Sequence, residues 1–440
     1  MDVLDVWPAL PLVIEAGILS STKFDNIMAA FKCSDRVCKI DLRFVYVEKW
    51  EWEEIFTALQ QPFPGLIDLR LRATKFEDSD LAPVNPDSFL GGSAPHLRYL
   101  DLERIPFPDL PKLLSTTPHL VELRLSPGYI SLETMVTCLS TLTSLKLFWL
   151  GHMPASDGDS DGRHPPPHTR SVLPALTFFL FKGDSKYLED LLARIDTPQL
   201  DHLKIEFDEE DILNTTQFTQ FISHSTKLKA HDYDEAYVDF HDDYYDSRGS
   251  FGRIKLLSQT SLNIDIQIRH RIPDRQLASL SRICVSCLPL LSMVEDLYFI
   301  EYDEDVNSWQ DDNQITQWLE LLRQFIAVKN LYLSRIPAQM MAPALLEVSG
   351  NGKTEVLPSL QNILLKGQIQ RDSSGTPWNN YHNYLFGPRM ASEPSDTLEE
   401  EIGRFVAARQ LSFTPLPFQF ETSSQTVTMR YLSSSHLSHY

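Results

Sequence analysis

The 440-residue sequence has little cysteine, no long apolar run and a shortage of positive charge. Its 5 cysteines are scattered along the chain and are too few to hold a disulfide scaffold. No run of about 18 apolar residues occurs, so the sequence predicts no membrane-spanning helix. Residues 1–7 are acidic and lack the basic start of a secretory signal. We therefore expect a cytoplasmic or nuclear protein.

The charge balance argues against two classes of partner. The chain has 39 Lys and Arg against 60 Asp and Glu, which gives a formal net charge of −21. Nucleic acids and anionic membranes would repel such a chain, so we expect it to bind neither of them. Apolar residues make up 42% of the sequence, which is enough for a large core and too much for wholesale disorder.

The sequence lacks the residue constellations of known enzyme classes, so we expect no enzymatic activity, no catalytic residues, no metal and no cofactor. Three local motifs are weak. Residues 157–162 begin like a calcium loop, but His168 stands where a bidentate glutamate is needed. Residues 350–354 resemble the end of a phosphate-binding loop, but they follow a predicted helix rather than a strand. Cys284 and Cys287 have no second pair of ligands nearby, so we expect them to be packed in the core.

A short repeat organises the chain: one apolar residue, two variable residues, an apolar residue, a variable residue and an apolar residue. It occurs as Leu66, Leu69 and Leu71. Further clear copies begin at Val37, Leu97, Leu120, Leu142, Leu176, Leu200, Val294, Val328 and Leu360. Two weaker copies are expected near Leu228 and Leu262.

The repeat predicts short parallel strands that stack on one another. The last two apolar residues of each copy are two positions apart, so they point to the same face of a strand. Such a short strand cannot bury its apolar face alone, and stacking with a crossover after each strand solves that problem. The segments between copies have helical periodicity, as in the stripe formed by Trp52, Ile55, Phe56 and Leu59.

The predicted fold is therefore an α/β solenoid, with parallel strands on the concave face and helices on the convex face. The pattern resembles an irregular leucine-rich-repeat horseshoe over residues 37–365. The Asn or Cys that often follows the strand in that family is missing here, so its buried ladder of side-chain amides is not expected. The alternative is a doubly wound α/β sheet, which is disfavoured because no glycine-rich phosphate loop follows the first strand.

The sequence divides into segments of different composition. We predict an N-terminal capping segment over residues 1–36 and the solenoid over residues 37–366, with a flexible loop insertion at residues 152–173. The remaining segments are a polar loop over residues 367–396, a C-terminal helix over residues 397–411 and a mobile Ser-rich tail over residues 412–440.

Several motifs carry a narrower resemblance. Residues 35–42 read Asp-Arg-Val-Cys-Lys-Ile-Asp-Leu, residues 403–411 read Gly-Arg-Phe-Val-Ala-Ala-Arg-Gln-Leu, and Pro-His-Leu opens two repeats, at 95–97 and 118–120. Together they resemble fungal F-box proteins with C-terminal leucine-rich repeats. That resemblance implies a receptor of a Skp–cullin ubiquitin ligase whose repeats bind a protein substrate. The 36 residues before the first predicted strand are too few for an F-box, so the alternative is a stand-alone scaffold or sensor without a ligase link.

The outward-facing strand positions are the expected binding surface, because folding does not require particular side chains there. Four of the chosen residues are basic and two are aromatic, and both kinds are frequent anchors of protein interfaces. The residues expected to contact a partner are Arg70, Tyr99, Arg124, Lys146, Phe178 and Lys204. We expect a partly acidic protein segment to bind them, although such charges can equally just keep a sheet face soluble.

A dense acidic run lies at residues 232–246 and includes Asp232, Asp234, Glu235 and Asp239. It fits a solvated face, and it could also attract cations or a basic segment of a partner.

Overall fold

A computed structural model gives the fold. It describes residues 10–18, 21–44, 49–73, 89–105, 110–126, 130–153, 170–207, 216–241, 250–258, 261–270, 274–287, 289–301, 314–350, 356–366, 402–407 and 412–415.

One sheet of 15 strands extends through these residues. Its strands, in their order across the sheet, are β1 (Leu12–Ile18), β2 (Val37–Phe44), β3 (Asp68–Ala73), β4 (Tyr99–Glu103), β5 (Glu122–Ser126), β6 (Leu147–Met153), β8 (Phe178–Gly183), β10 (His202–Phe207), β13 (Ser261–His270), β12 (Ser250–Ser258), β11 (Glu235–His241), β14 (Asp296–Glu301), β15 (Asn330–Ser334), β16 (Asn362–Lys366) and β17 (Ser412–Pro415). The short strands β7 (Ser171–Val172) and β9 (Ile195–Asp196) pair separately. All neighbours in the large sheet are parallel, except that β12 is antiparallel to both β11 and β13.

Helices connect most of the strands. They are α1 (Ser21–Phe31), α2 (Lys49–Ala58), α3 (Leu110–Ser115), α4 (Leu132–Leu139), α5 (Ser185–Leu192), α6 (Thr216–His224), α7 (Thr226–Ala230), α8 (Asp274–Cys287), α9 (Gln314–Leu322) and α10 (Arg335–Gly350). Short 3-10 helices span Phe89–Gly92 and Pro289–Met293, and residues 402–407 are also helical.

The core lies between the sheet and the helices. Leu69 and Leu71 of β3 are fully buried and stand in register with the buried Leu100 and Leu102 of β4. The same alternation continues along the sheet, and the buried faces of the helices join these residues in one hydrophobic cluster. The predicted architecture, an α/β solenoid built on a long and mostly parallel sheet, is confirmed.

Polar side chains cap the N-termini of several helices. Ser131 accepts a hydrogen bond from the backbone N–H of Thr134 at the start of α4, as its position before the helix predicts. Glu189 of α5 caps the next helix, because its two carboxylate oxygens accept the backbone N–H groups of Gln217 and Phe218 at 2.7 and 2.9 Å. Burial raises the pKa of Glu189, and these two hydrogen bonds offset part of that rise.

The repeat in β6 is displaced by three residues from the predicted frame. The register aligns Leu123 with Phe148 and Leu125 with Leu150, so the copy begins at Leu145 rather than at Leu142. Leucine occurs in both frames, and the observed one buries Phe148 and Leu150 completely. Leu147 is therefore turned outward, and Lys146 precedes the strand.

Of the two weak copies, the one near Leu228 was misplaced, whereas the one near Leu262 lies in β13. Leu228 lies in helix α7, and the repeat of β11 instead begins at Tyr233 and continues with the buried Ala236 and Val238. Leu262 is 38% exposed, because β13 enters from a hairpin with β12 rather than from a crossover. Short connections permit only antiparallel pairing, so the meander from β11 to β13 interrupts the parallel stack.

The ends of the chain extend the sheet beyond the predicted segments. Within residues 1–36, β1 pairs in parallel with β2 and α1 follows it. At residues 412–415, where the sequence predicted a mobile tail, β17 pairs in parallel with β16. The polar loop at residues 367–396 lies outside the described residues, as do residues 154–169 of the predicted insertion.

Two adjacent phenylalanines of β8 allow a direct test of the alternation between buried and outward-facing strand residues. Phe179 is fully buried and stacks on Phe148 with ring centroids 5.4 Å apart, whereas Phe178 points outward. We expect Phe179→Ala to lower the free energy of unfolding by about 3–5 kcal/mol, and Phe178→Ala to cost less than about 1 kcal/mol. Urea denaturation of both variants measures the difference, and equal losses would contradict the assigned inward face.

Candidate functional site

The strand residues that point away from the helices form a surface called here the open face. Two rows of side chains cross it from strand to strand. The first row precedes the buried pair of each strand and contains Lys39, Asp68, Tyr99, Glu122, Leu147, Phe178 and His202, followed beyond the meander by Glu235, Asp296, Asn330 and Asn362. The second row lies between the buried residues and contains Asp41, Arg70, Asp101, Arg124, Trp149, Leu180, Lys204, Asp265, Lys255, Tyr237, Tyr298, Tyr332 and Leu364.

The structure places five of the six predicted contact residues in these rows. Tyr99 and Phe178 belong to the first row, whereas Arg70, Arg124 and Lys204 belong to the second. The basic residues do not form a continuous stripe, because one acidic and two apolar side chains interrupt it. Lys146 lies outside both rows, immediately before the first residue of β6.

The second-row cations are compensated by neighbouring carboxylates. Arg70 lies 2.9 Å from Asp68, two residues earlier on the same face of its strand. Arg124 repeats this arrangement with Glu122 at 2.5 Å. Since these ion pairs are only partly exposed, the N-terminal part of the open face carries many charges but little uncompensated positive charge.

Lys204 shares its carboxylate partner with a second lysine, because Glu206 lies between the two. Its carboxylate is 2.8 Å from Lys204 and 3.2 Å from Lys182 on the neighbouring strand. Burial alone would raise the pKa of Glu206, but the two ammonium groups outweigh it and lower the pKa to about 2.

Two cations that immediately precede strands of the open face remain without an ion pair among the described residues. Arg98 and Lys146 are exposed, and no carboxylate lies within salt-bridge distance of either side chain in that part of the chain. Val121 donates its backbone N–H to Arg98 and accepts that of Lys146, so the three residues stand side by side just before β4, β5 and β6. The backbones of Arg98 and Lys146 are therefore roughly 10 Å apart on one side of the open face.

Four apolar side chains beside these cations form the apolar patch, defined as Leu147, Trp149, Phe178 and Leu180. Leu147 pairs with Phe178 across β6 and β8, and Trp149 pairs with Leu180. All four are partly exposed on the open face. The ring of His202 extends the patch by stacking on Phe178 at 5.7 Å.

Sequence reasoning placed Phe178 and Leu180 on the outward face, but it named only Phe178 as a partner contact. The wrong frame in β6 treated Leu147 as buried and left Trp149 outside the rows. A usable signal was present, because residues 147–150 and 178–181 are apolar at every position. A strand that is apolar at consecutive positions presents apolar side chains on both of its faces.

The weak chemical motifs gain no support as sites. The calcium-like loop at residues 157–162 and the glycine-rich residues 351–354 lie outside the described residues. Cys284 is a buried free cysteine of α8. Across the described stretches, no group of three His, Cys, Asp or Glu residues could hold a metal ion. None of the described helices combines the length and apolar character needed to cross a membrane.

Comparison with known proteins adds a distant similarity. No protein family matches the chain, and no curated protein matches it either. Among solved structures, the chain is similar to the leucine-rich-repeat-containing protein LegL7 from Legionella pneumophila, at 13% sequence identity and a TM-score of 0.30. The match covers 88% of this chain and 100% of LegL7. The fold assignment therefore rests on the strand order and register of this chain.

The low pKa of Glu206 predicts a pH-dependent contribution to stability. A folded-state pKa lowered from 4.5 to about 2 means that ionised Glu206 stabilises the fold above about pH 4.5. That stabilisation is lost as the pH falls toward 2. We expect Glu206→Gln to lower the free energy of unfolding at pH 7 by about 1–3 kcal/mol, and this difference from the parent to shrink at pH 3.

Urea denaturation at pH 7, 5, 4 and 3 measures the effect. Glu133→Gln is the matched control, because Glu133 is 67% exposed although it also pairs with an arginine. A loss caused by Glu206→Gln that is the same at every pH would contradict the ion-pair assignment.

Proposed function

We propose that this chain is a protein-interaction module whose open face binds a segment of a partner protein at the apolar patch. The observation that carries the proposal is the position of Leu147, Trp149, Phe178 and Leu180, which lie on the side of the sheet away from the helices. Folding alone requires no apolar residue at an outward position. Contiguous apolar patches rimmed by polar residues are typical of interaction sites, and tryptophan is enriched among the residues that contribute most of the binding energy there.

The surroundings of the patch favour a partner segment with apolar and acidic residues. Lys146 lies next to the patch and has no ion pair among the described residues, and Arg98 lies further along the same side. Among the originally expected contacts, Phe178 is then a central residue and Lys146 attracts the acidic group. Tyr99 lies on the flank.

Three other expected contacts take a different role in this proposal. Arg70, Arg124 and Lys204 form a rim whose ion pairs keep the face polar around the patch. Rim charges contribute mainly to the rate and specificity of association, so we assign little of the affinity to them.

In its finer form, the proposal is that the chain resembles the substrate-binding repeat region of an F-box-type receptor of a Skp–cullin ubiquitin ligase. The motifs at residues 35–42 and 403–411 support this form. The alternative is a stand-alone scaffold or sensor.

Co-purification separates the two forms. If the chain is a ligase receptor, then Skp and cullin subunits accompany the tagged protein purified from its own cells. If it is a stand-alone scaffold, then other partners are recovered without them. The receptor form predicts a specific pattern for the variant Trp149→Ala. It should still recover both ligase subunits, as the parent does, but it should lose one further protein, the substrate.

Site-specific crosslinking tests the binding surface. We expect benzoylphenylalanine in place of Phe178 to crosslink to the partner under illumination, because that ring lies in the apolar patch. Benzoylphenylalanine in place of Trp50 should not, since Trp50 is 50% exposed but lies on helix α2. With the crosslinked partner purified, Trp149→Ala should weaken its binding at least tenfold, and Trp50→Ala should leave the affinity within about twofold. Crosslinks from position 50 alone would contradict the proposal.

A further inference from the structure

We propose that the open face carries a second docking surface, at the far side of the meander, which binds an arginine- or lysine-containing segment of a partner protein. Its centre is the tyrosine ladder, defined as Tyr237, Tyr298 and Tyr332 of the second row. The rings of Tyr237 and Tyr298 stack with centroids 4.4 Å apart and planes 5° from parallel. Tyr298 and Tyr332 stack at 4.2 Å and 7°.

A row of hydrogen-bond acceptors accompanies the ladder. Asn362 donates its side-chain amide to Oδ1 of Asn330 at 2.7 Å, and Asn330 donates to Oδ1 of Asp296 at 2.7 Å. The hydroxyl of Tyr237 donates to Oε2 of Glu235 at 2.9 Å. These contacts hold two carboxylates, on the adjacent strands β11 and β14, in fixed positions beside the aromatic rings.

The two carboxylates lack a cationic partner among the described residues. Glu235 and Asp296 are partly exposed, and the groups that contact them are neutral hydroxyls and an amide. Burial raises the pKa of Tyr298 well above its usual range, so the ladder itself stays neutral. Asp234 and Asp232, from the acidic run, are exposed beside the same edge and add negative charge.

This arrangement differs from the rest of the open face. The arginines of β3 and β5 are neutralised by acids on their own strands, and Lys255 is neutralised by Asp239 at 2.6 Å. At the ladder, Glu235 and Asp296 have no cationic partner in the described part of the chain, and they lie next to aromatic surface. Charge complementarity therefore favours a cationic occupant at the ladder, whereas the cations beside the apolar patch favour an acidic one.

The geometry of the rings favours a guanidinium or ammonium group over a sugar. The faces of the middle ring, Tyr298, are covered by its two neighbours, so they are not free to stack on a pyranose. The three tyrosines are nevertheless partly exposed. Glu235 and Asp296 are paired across adjacent strands, so their Cα atoms lie roughly 5 Å apart and their carboxylates extend from neighbouring positions on the same face. A planar guanidinium can donate several hydrogen bonds to oxygens at such a spacing.

Peptide binding to the full chain tests this inference. The probes are a labelled eight-residue peptide of alternating Arg and Ser, and its counterpart with Glu in place of Arg. We expect the parent to bind the basic peptide and not the acidic one. Glu235→Gln/Asp296→Asn should weaken binding about tenfold, and Tyr298→Leu should weaken it about fivefold. Affinities are measured by fluorescence anisotropy at 150 mM salt, and thermal unfolding verifies that each variant is folded.

A matched charge control separates this site from attraction by the net charge of −21. Glu53→Gln/Glu54→Gln removes two exposed carboxylates from helix α2 and should leave the affinity within about twofold. Equal weakening by the two double variants would overturn the inference, as would preferential binding of neutral maltohexaose. If Tyr298→Leu does not fold, hydrogen exchange of the parent decides, because bound peptide must protect β14 and β15.

Trp149→Ala keeps this experiment independent of the proposed function. That variant should bind the basic peptide like the parent, because Trp149 lies on the other side of the meander. Loss of peptide binding in Trp149→Ala would contradict a separate second surface, whereas the apolar patch could still fail its own test without affecting this result.

Discussion

The whole structure depends on the burial of alternate residues on strands that are too short to be stable alone. A strand such as β5, with five residues, places only two leucines in the core, and those leucines need neighbours on both sides. Parallel stacking supplies the neighbours, and the helices close the other side of the core. The same constraint determines where function can reside. Once the inward positions are committed to packing, the outward positions are free to vary.

The outward positions differ along the sheet in a consistent way. Near the N-terminus they hold acids and bases that neutralise one another, which keeps a paired sheet face soluble without giving it a net attraction. At β6 and β8 they become apolar. Beyond the antiparallel strand they become aromatic and acidic. The meander therefore separates two surfaces of different chemistry, and a single long partner could contact both.

The meander contains a buried ion pair. Lys255 and Asp239 are buried at 5% and 2% exposure and pair with each other, so neither charge is left alone in a poorly solvated place. Burial raises the pKa of Asp239, and Lys255 offsets part of that rise. Such a pair is costly to break by replacing one partner. It joins β11 and β12 where the described sheet is antiparallel.

Much of this could be predicted from the sequence, and the failures have physical reasons. Leucines two positions apart identified most strands, because that spacing has a single structural meaning. The frame of β6 failed because leucine fits two registers and only packing of Phe148 decides between them. The copy in β13 was hard to recognise because Ser261 occupies the position of the first apolar residue of the repeat. The ion pairs could have been predicted from the sequence, since Asp68 and Arg70 are two residues apart on one strand and therefore share a face.

The most direct test of the central claim is the chemical accessibility of successive positions along β8. Single cysteines are introduced as Phe178→Cys, Phe179→Cys, Leu180→Cys and Phe181→Cys. Alkylation rates are then resolved by peptide mass spectrometry, which distinguishes each new thiol from the native ones. The account predicts rapid labelling at positions 178 and 180, and labelling at positions 179 and 181 only when the protein unfolds. Rapid labelling at 179 and 181, or four equal rates, would contradict it.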